Sequence, residues 1–417
     1  MNKRSFIYII AAIILASIIG FLTGTKSSLF GITYYSIYDL LGTLFLNALM
    51  MIVVPLVISS IISGISNIGK EKNFKAIGLK TFGMFVLTNL LAIIVGLILV
   101  NLFIEHFSYA AQSIAKIKSS TISLEKAEKA LGSIEDVIIK IIPYNIFHAL
   151  TNGQMLGIIF FSLIFGYGLT KIEGSSYEVL KNFWNGLFQV MIKITHLIMK
   201  FLPLGVFCLV AKEFAETGMY TLRSLGFFLV IILIGFAIHF IIVLPLLLRF
   251  IGKVKPLAHI KSMGRALITA FSTSSSSATI PVTLNCLEQN VKISNKISSL
   301  AVPLGSSINL SASAMYVIIT SSFIAISYGI NLSFTMQFTI FLLSFLTTLG
   351  MASVPSGCLV TTILVLKGIG VPPAGIGLVI AVDRIIDMFR TMTNVFSNSV
   401  CAVIVAKLEK EKLSIDK

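Results

Sequence analysis

Eight stretches of this chain are apolar for long enough to cross a lipid bilayer, and no other feature constrains its fold as much. A spanning helix needs roughly 20 apolar residues, and such runs lie near 5–23, 38–66, 81–104, 137–170, 182–211, 224–250, 297–328 and 374–406. At membrane depth the backbone has no water to bond to, so each run is expected to satisfy its own polar groups as a helix. The composition agrees. Of 417 residues, 56% are hydrophobic and only 12% charged, against about 25% charged in a soluble domain. A soluble globular protein is therefore excluded. So is a disordered chain, because abundant Phe and the long apolar runs supply ample surface to bury. A formal charge of +15 in a soluble protein would suggest nucleic acid. Here the basic residues sit mostly in short loops between the runs, where membrane topology accounts for them, and no nucleic-acid partner is expected.

Those loops also set an orientation. One set of ends carries Lys3 and Arg4, Lys70 to Lys80, Lys171 and Lys181, Arg249 to Arg265, Lys292 and Lys296, and Lys407 to Lys412; the opposite short loops carry little beyond Lys26, Lys212 and Lys367. Basic residues favour the cytoplasmic side, so both termini are expected inside a cell (inner or plasma) membrane. The run Ser5 to Thr23 is too long for a signal peptide and has no clear cleavage site, and it is expected to be the first span. The polar loop of about 105–136 would lie outside. Cys208, Cys286, Cys358 and Cys401 show no paired spacing and are expected as buried small side chains rather than disulfides or zinc ligands. The five histidines have no metal-ligand spacing; His239, inside an apolar run, is expected to be a hydrogen-bonded helix residue.

Two further apolar segments, about 258–292 and 334–370, are broken in the middle. In the first, seven of the nine residues 271–279 carry hydroxyls, between Ala266–Ala270 and Ile280–Leu284. A serine linker would not need apolar arms on both sides, whereas a re-entrant hairpin with an unwound polar tip would. The second reads Gly350-Met-Ala-Ser-Val-Pro-Ser-Gly357. The tips share a pattern, Ala278-Thr-Ile-Pro281 against Ala352-Ser-Val-Pro355, and each is followed by an apolar helix bearing polar residues. Interrupted hydrophobic segments in corresponding halves point to inverted repeats and to a transporter site.

The chemistry concentrates in the last run. Asp383 and Asp387 are the two acids well inside an apolar span, and Arg390, Thr391, Asn394 and Asn398 follow. At 3.6 residues per turn, positions 383, 387, 390, 394 and 398 form one stripe. Each intramembrane charge costs at least about 2.5–3.5 kcal/mol, so such clusters mark substrate or ion pathways more often than they clamp helices. A carboxylate binds an ammonium, an amide binds a carboxylate, and a guanidinium binds a second carboxylate bidentately. The set complements an acidic amino acid. Upstream, Pro303-Leu-Gly-Ser-Ser-Ile-Asn-Leu-Ser-Ala-Ser313 places Gly305, Ser307, Asn309, Ser311 and Ser313 mid-span. This is either a small-residue packing face or an unwound stretch whose carbonyls hold a cation.

Three motifs in this order, Ser274-Ser-Ser-Ser-Ala-Thr-Ile-Pro-Val-Thr283, Asn309-Leu-Ser-Ala-Ser313 and Asp383-Arg-Ile-Ile-Asp-Met-Phe-Arg-Thr-Met-Thr-Asn394, resemble those of the dicarboxylate/amino acid:cation symporters, the glutamate transporter homologues, and the order of spans matches along essentially the whole chain. The resemblance implies an all-α membrane protein with eight transmembrane helices, two re-entrant helical hairpins and inverted repeats, working as an elevator-type homotrimer. Residues 1–80 would form scaffold helices 1 and 2, 81–136 helix 3 of the transport domain with the outer loop, and 137–222 helices 4 and 5 of the scaffold and trimer contact. Residues 223–257 would form helix 6 of the transport domain, 258–408 the transport core and 409–417 a cytoplasmic tail. By the same resemblance Asp387 would bind the substrate ammonium, Arg390 its side-chain carboxylate and Asn394 its α-carboxylate. Ser276 and Val354 would add main-chain contacts, and Thr391 and Ser313 hydroxyls. Asp383 and Arg384 would support the charge balance, Arg384 replacing an arginine that some members carry where this chain has Ser274.

The implied function is import of glutamate or aspartate coupled to protons and/or sodium, without a cofactor. The implied cation ligands are Gly305, Ser307, Asn309, Thr88, Asn89, Thr348 and Asn398. Sodium-coupled members carry Asp where this chain has Ser311 and Asn398, and Phe85 and Met351 stand where a tyrosine and a threonine line sodium sites. Hard cations prefer charged oxygens, so these sodium sites look depleted, and coupling to protons or to fewer sodium ions is expected. A carrier of small neutral amino acids or C4-dicarboxylates is the nearest alternative, and an anion or ion channel the alternative of another class, though no repeated filter ring is evident. An enzyme is not expected: the Ser274–Ser277 run has no base near it in sequence, and no Gly-x-Ser-x-Gly occurs.

Overall fold

The structure, a computed structural model, describes residues 3–29, 31–66, 72–105, 107, 139, 141–152, 154–217, 220–348 and 357–416. It is helical almost throughout. Helix α1 (Lys3–Thr23) leads through a short ribbon, β1 (Ser28–Leu29) antiparallel to β2 (Ile32–Thr33), into α2 (Tyr34–Ser66) and α3 (Lys72–Leu102). Next come α4 (Ile146–Asn152), α5 (Met155–Leu169), α6 (Ser175–Ile198) and α7 (Leu202–Thr217). A π-helical turn, His239–Val243, joins α8 (Tyr220–Ile238) to α9 (Leu244–Phe250). The C-terminal part holds α10 (Pro256–Thr273), α11 (Ser276–Asn285), α12 (Asn295–Ile308), α13 (Ser311–Ser327), α14 (Phe334–Thr348), α15 (Gly357–Gly368) and α16 (Gly377–Leu408).

Among the described residues, five segments are long and apolar enough to cross a membrane: Tyr34–Ser66, Ile77–Leu102, Leu225–Phe250, Asn295–Ser327 and Val379–Leu408. They coincide with five of the eight expected runs. The run 297–328 holds two helices, α12 and α13, and two other runs are not single helices either. Within 137–170, the Asn145 side chain accepts from the backbone N–H groups of Phe147 and His148, at 2.8 and 3.2 Å, and so starts a new helix inside the run. Within 182–211, the helix ends at Ile198, makes one 3₁₀ turn over Met199–Phe201 and restarts with Pro203 in its first turn. Proline has no N–H to give and disfavours helix at the preceding residue, so it sits where a helix begins.

The helices pack around two centres. Helix α1 lies along α7, and α2 touches α5, α6 and α7. Around the second, α3, α14, α15 and α16 surround α13, while α10 and α12 lie on α16. The two groups touch, α7 on α16 and α15 on α2. Every residue of α13 is buried, the mark of a helix enclosed by others. Close approach is possible because Gly96 and Gly235 face it. A Cβ at Gly96 would lie 2.7 Å from Ile318, and one at Gly235 would lie 2.8 Å from Met315.

The broken segment at 258–292 folds as two helices packed on each other. Its break falls at Ser274, whose φ of 49° is left-handed, followed by Ser275, whose side chain caps α11 by accepting from the Ala278 N–H. The tip of the second broken segment, with Val354, Met351 and the Ala352–Pro355 match, lies outside the described residues. Its arms, α14 and α15, pack together.

The C-terminal residues fold back as a clasp. Lys255 N–H donates to the Ile415 carbonyl at 3.0 Å, and Ser414 N–H to the Val291 carbonyl at 3.1 Å, so the tail bridges both ends of the α10–α11 pair. Glu411 accepts from the Ser294 N–H, Lys80 pairs with Glu409, and Lys407 pairs with Asp416. Burial by itself would raise the Asp416 carboxyl, but the Leu413 N–H and the Lys407 ammonium outweigh it and hold the group below its usual range. Leu413 and Ile415 are buried. Truncating such a side chain costs about 2–5 kcal/mol. Leu413→Ala is therefore expected to lower the unfolding temperature of the purified protein and to speed hydrogen exchange at Lys255 and Ser414. Unchanged exchange at those amides would show that the tail does not hold the pair together.

Candidate functional site

The stripe read from sequence in α16 is buried throughout: Asp383, Asp387, Arg390, Asn394 and Asn398 are each 3% exposed or less, and Arg384 and Thr391 are also buried. The stripe meets α12, where Asn398 lies against Gly305, and α13, where Arg390 lies against Tyr316 and Asn394 against Ser313. The charges are not held apart. Arg390 Nη2 donates to Asp387 Oδ1 at 2.5 Å, and its Nη1 lies 3.5 Å from Asp383 Oδ1. Arg384 Nη1 lies 3.5 Å from Asp387 Oδ2. Sequence alone suggested an acid and a guanidinium standing ready for separate groups of a ligand; the structure joins them to one another. The reason is electrostatic. A guanidinium in a dry interior without a counter-charge costs several kcal/mol, and Asp387, one turn away, is the nearest carboxylate. The face of the guanidinium is covered by the Tyr316 ring, 4.5 Å from its centre, a cation–π contact. Two carboxylates and two guanidinia make this cluster formally neutral.

The second part of the site forms where the helix of 295–327 breaks. The break falls at Asn309 and Leu310, with φ/ψ of −96°/75° and −108°/56°, and not at Gly305, which stays helical. The first N–H groups of α13 are left without helical partners. Asn394 reaches across from α16 to supply one: its Oδ1 accepts from the Ala312 N–H at 2.9 Å, and its Nδ2 donates to Ser313 Oγ at 2.9 Å. Asn394 thereby ties the charged stripe to the start of α13.

One turn further along α16 a polar cluster without carboxylates gathers around Asn309. Thr88 Oγ donates to Asn309 Oδ1 at 2.8 Å, Asn309 Nδ2 faces Ser397 Oγ at 3.2 Å and Cys401 Sγ at 3.4 Å, and Asn89 Nδ2 reaches the Ile308 carbonyl at 3.4 Å. Asn89 Oδ1 and Asn398 Oδ1 are buried without hydrogen-bond partners. A Cβ on Gly305 would lie 2.7 Å from Asn398 Oδ1 and 3.2 Å from the Phe85 ring. Thus Gly305, Asn309, Thr88, Asn89 and Asn398 converge as amide and hydroxyl groups that could surround a small cation. Ser307 is half-buried on the same helix, and Thr348 donates to the Ser344 carbonyl within α14; among the described residues neither hydrogen-bonds to the cluster. Ser276 is buried in the first turn of α11, and Phe271, before the break, packs edge-on against Phe389 beside Arg390.

Sequence reasoning assigned no role to Tyr316 or to the Ala312 N–H. Tyr316 was within reach, since it lies three residues after Ser313 and so on the same helix face. His239 is hydrogen-bonded as expected, and its partner is Ser311 Oγ, 3.1 Å from Nε2. Its place in a π-helical turn, where one residue too many is inserted, gave no sequence signal. His259 pairs in the same way with Ser399 of α16, at 2.9 Å.

Removing one partner of a buried ion pair costs about 3–5 kcal/mol, whereas removing both costs less. Asp387→Asn and Arg390→Gln are each expected to destabilise the purified protein more than Asp387→Asn combined with Arg390→Gln. Additive losses in unfolding midpoint would mean that the two groups are not coupled.

This geometry can be set beside known proteins. The sequence pattern of the sodium:dicarboxylate symporter family matches residues 7–408. The proton/glutamate-aspartate symporter of Escherichia coli (strain K12) is 35% identical across 88% of this chain and 84% of its own length. The proton/sodium-glutamate symport protein of Geobacillus stearothermophilus is 33% identical across 88% and 87%. Excitatory amino acid transporter 3 of Homo sapiens is 30% identical across 99% and 87%. With the apolar helices described above, these matches make the chain a multi-pass membrane protein belonging to the sodium:dicarboxylate symporter family.

Proposed function

We propose that this protein is a secondary active symporter that imports glutamate or aspartate with protons and/or sodium. The observation that carries this is the buried, formally neutral stripe of Asp383, Arg384, Asp387 and Arg390 beside Asn394 and Ser313. An acidic amino acid exchanges the internal pair for external ones. Its side-chain carboxylate takes the Arg390 fork, its ammonium takes Asp387, and its α-carboxylate takes the second amide hydrogen of Asn394. Thr391 and Ser313 add hydroxyls, and the tips at Ser276 and Val354 add main-chain contacts. Asp383 keeps its hold on Arg390, and Arg384 balances Asp387. The exchange costs little because each group trades one charged partner for another.

Electroneutrality supplies a reason for coupling. The stripe sums to zero, and the substrate brings a net charge of about −1 at neutral pH. Moving that charge through a membrane interior is costly, and a co-bound cation cancels it. The amide and hydroxyl oxygens of Gly305, Asn309, Thr88, Asn89 and Asn398 are the ligands for it, and the family resemblance adds Ser307 and Thr348. Hard cations prefer charged oxygens, so a neutral set at Ser311 and Asn398 favours protons, or fewer sodium ions. The names of the bacterial relatives include both ions.

The two packing groups support a division into a scaffold, α1, α2 and α4–α7, and a transport domain, α3 and α8–α16, in which the α10–α11 and α14–α15 pairs are re-entrant hairpins. The family resemblance supports elevator movement, a homotrimer and cytoplasmic termini. A C4-dicarboxylate would leave Asp387 without an ammonium, which disfavours that cargo.

Uptake of labelled glutamate and aspartate into proteoliposomes, with proton and sodium gradients imposed separately, tests this. Uptake driven by the proton gradient is expected. Steep sodium dependence with a Hill slope of about three would contradict the coupling, and no uptake under either gradient would contradict the function. Arg390→Cys is expected to abolish acidic uptake and to admit neutral amino acids; undiminished glutamate uptake would remove the guanidinium from its role.

A further inference from the structure

Three lysines hold a backbone conformation that favours glycine, and all three stand at the tail clasp. Lys253 in the turn after α9, Lys292 after the π-helical turn Cys286–Val291 and Lys410 after α16 have φ of 53°, 68° and 65°. Glycine is the usual residue in such turns because a Cβ is crowded there. The tail brings the three together. Val254 pairs with Asp416, Lys255 N–H with the Ile415 carbonyl and Ser414 N–H with the Val291 carbonyl. Lys253, Lys255, Lys292 and Lys412 lie at or within two residues of these contacts, and Lys410 adjoins Glu411, which accepts from the Ser294 N–H. All five lysines are exposed, and among the described residues none of them pairs with an acid. The acids at this end are engaged with other groups: Glu409 with Lys80, Asp416 with Lys407, Glu411 with Ser294, and Glu288 with Asn295 and Ser298. Large apolar side chains beside the lysines are exposed as well, Phe250 at 70%, Leu257 at 74% and Leu408 at 44%.

We propose that the clasp and the turns it joins are a docking surface for anionic phospholipid headgroups of the cytoplasmic leaflet. The proposal rests on the cytoplasmic placement of the termini given above and not on the substrate, so its failure leaves the symporter reading standing. Lysines that only set topology need to be on the right side of the membrane, not gathered by one tail or placed where the backbone favours glycine. The cytoplasmic leaflet carries a negative surface potential, and each lysine at its surface is worth about five-fold in binding. The exposed Phe250, Leu257 and Leu408 enter the boundary between headgroups and acyl chains, while the neighbouring ammonium groups reach the phosphates. A soluble anion has nothing to offer those apolar side chains, which is why a lipid fits this surface. Phosphates bound across the array would brace the α9–α10 turn, the turn after α11 and the tail against one another.

Two measurements on the full-length protein test this. Native mass spectrometry from micelles holding equal phosphatidylglycerol and phosphatidylcholine reads which lipid is retained. Hydrogen exchange at the Lys255 and Ser414 amides, in nanodiscs with and without phosphatidylglycerol, reads where it acts. Wild type is expected to retain phosphatidylglycerol, and exchange at both amides is expected to slow when that lipid is present. Lys253→Gly combined with Lys292→Gly and Lys410→Gly removes three charges while giving the backbone the residue it favours, so the clasp is expected to survive and the preference to fall by about 100-fold, at about five-fold per charge. Lys255→Gln combined with Lys412→Gln is expected to lower it by about 25-fold. Either combination decides alone, so failure of one to fold leaves the other. Equal retention of the two lipids by wild type, or a preference unchanged in a folded variant, would overturn the proposal. So would displacement of phosphatidylglycerol by inorganic phosphate beyond that caused by chloride at equal ionic strength, which would assign the surface to free anions.

Discussion

A guanidinium enclosed by protein at membrane depth has to be neutralised, and the surroundings of Arg390 follow from that requirement. Asp387 and Asp383 lie on the same face of α16, so the helical repeat itself brings the counter-charges. Tyr316 covers the remaining face from α13. That helix is buried on every side, which keeps water away and strengthens each contact. The same arrangement makes the cluster responsive. Its partners are internal, so a ligand with the same charges can replace them without leaving a buried ion bare.

The break at Asn309 and Leu310 serves the stripe in a second way. A continuous helix through 295–327 would have no free N–H at Ala312 for Asn394 to cap and no turn at which Asn309 could face Thr88 and Ser397. The interruption therefore sets the charged stripe beside a neutral polar cluster on the same two helices. Substrate and cation would then share one rigid unit, and the tail clasp at Lys255, Val291 and Ser294 ties the base of the α10–α11 pair into it.

Much of this was legible in the sequence because charge is expensive in an apolar run. Asp383, Asp387 and Arg390 stand out for that reason, and the helical repeat puts them on one stripe that proves buried. The serine run likewise marked the break at Ser274. Apolar runs are silent about internal stops, so the starts at Asn145 and Pro203 were missed. Contacts between distant segments were also invisible: His239 on Ser311 and His259 on Ser399 depend on how helices meet. The mutual engagement of Arg390 and Asp387 was missed because sequence spacing gives neighbours but not which charges pair.

The central claim is that a substrate takes over the partners that Arg390 and Asp387 now give each other. A structure determined with aspartate bound tests it most directly. The account predicts that Arg390 turns its fork onto the side-chain carboxylate, that Asp387 contacts the ammonium, and that the 2.5 Å contact between them opens. Aspartate bound elsewhere, with that contact intact, would contradict it.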